Sequence, residues 1–164
     1  MLNTIAQELA AVPDVRSRAA QQRVFNAIAD RLCSNIQATG GLAIKTGGSA
    51  LAKTVNTVYY VANGIYGALA AADMPALTGL TITANKFNVA VFYVDSAGTT
   101  TVGFGTEGAT AAAVKFPTPP QGKATIGYLM ITHSATFTGG TTALDTATTV
   151  YVNTVGPFDP SITL

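Results

Sequence analysis

Apolar positions follow a helical period up to about residue 37 and a largely alternating one after it. From Asn3 to Gln37 the pattern predicts helix, broken once at Pro13. Leu2, Ile5 and Leu9 share one face of a short first helix, while Val15, Ala19, Phe25, Ile28, Leu32 and Ile36 line one side of a longer second. Asp14, next to Pro13, is placed to cap it. Ala38-Thr-Gly-Gly41 then ends the helix and supplies a hinge. Phe25, Ile28, Leu32 and Ile36 stand at the spacing by which a helix docks into a groove, and they form the candidate interface. The partner is either the chain's own domain or a neighbouring subunit.

Beyond the hinge the signals are those of strands. Gly47 to Thr54 reads as a flexible lead into the first hairpin. Thr57 to Val61 is β-branched and aromatic, Asn63-Gly64 offers a tight turn, and Ile65 to Leu69 returns as a second strand unless the run Ala68 to Ala72 turns helical. Leu80 to Thr83 is a short strand. Phe87 to Val94 is apolar on both faces, as a strand covered on two sides requires, and Asp95-Ser-Ala-Gly98 turns it into Thr99 to Phe104. Val114 to Phe116 leads into Pro117, Pro119 and Pro120, which mark a surface crossing. Ala124 to Thr132 follows, with Ile126, Tyr128 and Met130 on one face and Leu129 and Ile131 on the other, and Val150 to Val155 closes the set. Short strands separated by Gly and Pro turns predict a mainly β fold, a β-sandwich or jelly-roll-like domain over residues 40–164, with an N-terminal α-helical arm over residues 1–39.

Composition sharpens this picture. Charged residues make up only 10% of the chain, against about 25% in a typical soluble protein. A neutral, hydroxyl-rich surface has little repulsion to keep copies apart and suits a subunit covered by neighbours. The amphipathic helix points the same way, to a homo-oligomer. Arg16, Arg18, Arg23 and Arg31 gather near the N-terminus, but Glu8, Asp14 and Asp30 lie among them, so a solvated helix face is expected and no nucleic-acid partner. No apolar run is long enough to cross a membrane, and Glu8 stands where a secretion signal would be basic or apolar. Cys33 is alone and is expected to fill core space.

Catalytic chemistry finds little to build on. His133 is the only histidine, without Cys, Asp or Glu at metal-ligand spacing around it. Asp95 and Glu107, flanking the second hairpin, are the one carboxylate pair worth testing for glycoside hydrolysis, and turn roles suit them better. Gly103-Phe-Gly-Thr-Glu-Gly108 matches a dinucleotide fingerprint in letters, but Pro117 arrives before a phosphate-binding helix could form. Gly47-Gly-Ser-Ala-Leu-Ala-Lys-Thr54 lacks the glycine before the lysine of a phosphate loop. No enzyme, metal or cofactor is expected.

The stretches Phe116-Pro-Thr-Pro-Pro-Gln-Gly-Lys-Ala-Thr-Ile-Gly-Tyr-Leu-Met-Ile131, Phe137-Thr-Gly-Gly-Thr-Thr-Ala-Leu-Asp145 and Thr149-Val-Tyr-Val-Asn-Thr-Val-Gly-Pro-Phe-Asp-Pro160 resemble segments of small structural proteins of tailed phages, those that decorate or cement the head. Val58 to Leu69 carries a looser echo, and the brief His133-Ser-Ala-Thr136 stands where the family has a longer stretch. The resemblance implies a virion subunit, assembled in the host cytoplasm, that binds the major capsid protein or other virion subunits and stabilises the head lattice, commonly as a trimer. It brings no catalytic residues. The alternatives are a head- or tail-fibre component and a receptor- or glycan-binding module.

Overall fold

The computed structural model describes residues 18–158. Among them are one α-helix, α1 (Arg18–Leu32), and the strands β1 (Asn35–Ala38), β2 (Leu42–Ile44), β3 (Ala52–Thr54), β4 (Val58–Ala62), β5 (Ile65–Leu69), β6 (Thr81–Ile82), β7 (Phe87–Val94), β8 (Thr100–Phe104), β9 (Ala124–Thr132), β10 (Phe137–Thr138) and β11 (Thr148–Asn153). The expected short first helix of Leu2, Ile5 and Leu9 lies outside the described residues, as do the break at Pro13, the cap Asp14 and Val15 of the second helix. The chain is mainly β, and its sheets are antiparallel: β1-β4-β5, β11-β9-β7-β8, and the pairs β2-β3 and β10-β6.

Both expected hairpins form. Asn63 and Gly64 take φ of 50° and 77° between β4 and β5, the left-handed values that a two-residue turn demands and that favour Asn-Gly. Ala68 continues β5 opposite Tyr59 and does not turn helical. The β7–β8 turn is closed by Asp95, whose Oδ1 accepts the amides of Ala97 and Thr99 at 3.0 and 2.9 Å. The carboxylate replaces backbone partners that a four-residue turn leaves unused.

The continuous apolar run of β7 is buried on both sides, as its sequence predicts. Ala90, Phe92 and Val94 join the main core with Ile36, Val58, Tyr60 and Ala62 from the three-stranded sheet and with Leu77, Ile82, Phe137 and Leu144. Val89, Val91 and Tyr93 face the other way, into a second cluster with Val114, Tyr128, Met130 and, at its rim, Phe116 and Phe158. The ring of Phe116 meets that of Tyr128 edge-on at 5.0 Å.

β9 corrects the simple alternation. Tyr128 and Met130 share a face, but Ile126 joins Leu129 and Ile131 in the main core. Phe92 pairs with Gly127 while Tyr93 pairs with Thr125, so Ile126 is the extra residue of a β-bulge and the faces swap across it. Gly127 permits the close packing, because a Cβ there would lie 2.3 Å from the Val152 carbonyl oxygen.

The helix stops earlier than its periodicity predicts. Cys33 makes the last helix-type bond, to the carbonyl of Ala29, and Asn35 Nδ2 caps the carbonyl of Leu32 at 2.7 Å. Residues Asn35 to Ala38 are strand, paired to β4 on one side and, through Ile36, to Gly156 on the other. Helix cannot compete there, because it would forgo both sets of bonds and take Ile36, 1% exposed, out of the core. Gly40 is accordingly no hinge. A Cβ on it would come within 2.5 Å of the Val58 side chain and 2.7 Å of the Asn56 carbonyl oxygen, so it is a point of close chain approach. Cys33, expected in the core, is exposed just past the last helical turn. The expected flexible lead is in part the β2–β3 hairpin, whose three-residue strands are too short to leave a readable period. Val114 to Phe116 forms no strand and holds only a bridge from Lys115 to Thr106.

Candidate interface

Helix α1 is fastened to the β body by its last turn. Asp30 Oδ1 accepts the Gly122 amide at 2.9 Å and its other oxygen pairs with Arg31. The Cys33 carbonyl takes the Gly64 amide at 2.8 Å, and Ser34 Oγ takes the Asn63 amide at 3.1 Å. The helix end is thereby tied to the β4–β5 turn and to the turn before β9. Arg31 and Asp30 are largely buried, which corrects the expectation of a solvated face at that end.

These ties decide which way the helix faces. Val24, Ala27, Ile28 and Arg31 are buried or half-buried, at the spacing of one helical face. Phe25, Ala29 and Leu32 lie on the face beside it, and the two large side chains remain 64% and 61% exposed. The four candidate residues therefore separate. Phe25 and Leu32 are brought together on the open face, Ile28 turns inward, and Ile36 belongs to the core through β1.

A second exposed apolar surface escaped the sequence reading. Alternation in β4 sends Val58, Tyr60 and Ala62 into the core and Tyr59 and Val61 outward. Tyr66 lies opposite Val61, and its ring stacks on that of Tyr59 with centroids 6.4 Å apart. Ile65 and Tyr66 are 54% and 63% exposed. The sequence places these aromatic residues in strands without marking an outer face. The signal was present in the period of two through Tyr59 and Tyr60, which puts neighbouring tyrosines on opposite sides.

The polar groups are occupied in shaping turns. His133 Nδ1 engages the backbone of Ala135 two residues on. Asp95 and Glu107 stand at opposite ends of β7, the first in its turn and the second holding Thr83 and Lys86 beside Gly108. Among the described residues no group of three or more His, Cys, Asp or Glu is placed to hold a metal. No α-helix follows Gly108 among the described residues; the next element is a single 3-10 turn, Ala111–Ala113. An open cleft of about 350 Å³ lies among Asn63, Asp95, Ser96, Gln121, Gly122 and Lys123, where three turns meet. Among the described residues no helix is long and apolar enough to cross a membrane.

No protein family matches the chain, and neither a curated protein nor a solved structure does.

Proposed function

We propose that this chain is a β-sandwich or jelly-roll-like structural subunit of a tailed-phage particle, a decoration or cement protein that attaches to the head lattice through the major capsid protein or its neighbours. The observation that carries an assembly role is the outward helix face, where Phe25 and Leu32 stay more than half exposed in a chain with few charges. Fully covering each such side chain contributes about 1.5–3 kcal/mol, so a subunit surface gains by placing them against a partner. The core shared by the three- and four-stranded sheets supports the sandwich reading. The phage assignment rests on the resemblance of Phe116 to Ile131, Phe137 to Asp145 and Thr149 to Pro160. The reading has the chain act by binding, without a catalytic step or cofactor, and as a homo-oligomer, a trimer as the resemblance implies.

The stacked, exposed pair Tyr59 and Tyr66 favours one second reading, a glycan- or receptor-binding module of a head or tail fibre, since such rings offer apolar faces to a sugar. Electron microscopy of particles of the encoding phage, made with and without this chain, separates the two. Density lost from the head lattice supports decoration, and loss from the tail or from projecting fibres supports the second reading. Particles identical in both preparations, with no chain bound, overturn both.

A further inference from the structure

The three-stranded sheet ends at β5, and no strand covers the far side of that edge among the described residues. The two-residue turn makes Ala62 and Ile65 the first hydrogen-bonded pair, so bonding alternates along the hairpin. Ile65, Gly67 and Leu69 spend their backbone groups on β4. Tyr66 and Ala68 point theirs outward, to the open edge. Natural edges are usually guarded by lysine, proline, a bulge or a covering loop. Among the described residues β5 has none of these, and Ala62 to Ala72 contains no charged residue at all.

We infer that this edge is a strand-pairing site and that its occupant is β5 of a second copy, joined antiparallel about a two-fold axis at Gly67. That register overlaps the whole of β5. Tyr66 then exchanges backbone bonds with Ala68 of the second copy, and Ala68 with Tyr66 of the second copy. On the outer face each large ring comes to lie beside a small methyl, with Tyr59 and Val61 completing the two rows. A strand without charge meets its own copy without like-charge repulsion, whereas a charged partner strand finds nothing to pair with here. Gly67 suits the axis because the ring of Tyr60 already lies where its side chain would be; a Cβ would fall 2.5 Å from that ring. The Leu32 end of α1 is tied to Gly64, at the turn end of the hairpin, through the Cys33 carbonyl. The pairing links copies two at a time, so subunits that trimerise through other surfaces could be tied trimer to trimer by it. It does not depend on the particle in which the chain works.

The test is sedimentation of the full-length chain over a dilution series, combined with backbone amide hydrogen exchange at each concentration. The expected result is a self-association in which the amides of Tyr66 and Ala68 gain protection as concentration rises, while the Gly67 amide, paired to Tyr60, is protected throughout. The double variant Tyr66→Lys with Ala68→Lys places charge at exposed positions and should abolish that association over the same range, while the variant stays folded, with a far-ultraviolet circular dichroism spectrum like that of wild type. A monomer at every concentration overturns the inference, as does an oligomer whose Tyr66 and Ala68 amides exchange freely. Persistence of the same oligomer in the double-lysine variant overturns it too.

Discussion

Tyr93 is 1% exposed, and its hydroxyl has no hydrogen-bond partner among the described residues. Burial pushes the phenol pKa far above its ordinary value, against the opposing pull of the Arg31 charge. A buried hydroxyl without a partner costs about 1–3 kcal/mol in desolvation, and phenylalanine fills the same space. Tyr93→Phe should therefore raise stability by about 1 kcal/mol in urea unfolding; a loss of that size would mean that the hydroxyl is satisfied. Glu107 is the opposite kind of residue, partly exposed and fully engaged. It accepts the Thr83 amide at 3.0 Å, the Lys86 ammonium at 3.2 Å and the Thr83 hydroxyl at 3.0 Å. These contacts, the backbone bond foremost, hold its pKa below the ordinary carboxylate value. A folded pKa below the unfolded one stabilises above the unfolded pKa, and that contribution fades as pH falls through the folded value. Glu107→Gln should thus lower the melting temperature at neutral pH, with the difference from wild type closing in acid. A gap that persists with Glu107 protonated would refute the charge-based account.

At the scale of elements, the sequence shows what repeats and hides what interrupts. Long strands with strong turns were legible: β9 begins and ends where its apolar run does, and Asn63-Gly64 and Asp95 mark the two hairpin turns. The bulge at Ile126 was not, since its cause lies in the bonds that β7 offers across the sheet, and the letters around Gly127 alternate as a regular strand would. The end of α1 was misread for a related reason. Ile36 continues the spacing of Ile28 and Leu32, so periodicity alone extends the helix, while pairing with β4 and Gly156 makes it strand. Of the candidate interface, Phe25 and Leu32 were legible as a helix face, but which apolar face the body would cover depended on the ties through Asp30, Cys33 and Ser34. Tertiary contacts of this kind leave no local pattern.

For the whole molecule, the helix makes core and candidate contact surface separable. Ile36 is buried at 1% exposure among the residues shared by the two larger sheets, whereas Phe25 and Leu32 protrude. Ile36→Ala should cost about 2–5 kcal/mol, the usual loss for truncating a large core side chain. Phe25→Lys with Leu32→Lys should change stability by no more than about 0.5 kcal/mol per site, as at other exposed positions. Lysine keeps helix propensity, and at Leu32 its charge sits favourably against the C-terminal end of the helix dipole. If the helix face is where the subunit meets its neighbours, the double-lysine protein should fold and melt like wild type yet fail to join particles, because two ammonium groups would be carried into an apolar contact. Thermal melting of the purified protein and its recovery with sedimented particles measure the two effects separately. A large fall in melting temperature would mean that Phe25 and Leu32 pack within the subunit, and incorporation at the wild-type level would remove this helix face from the assembly.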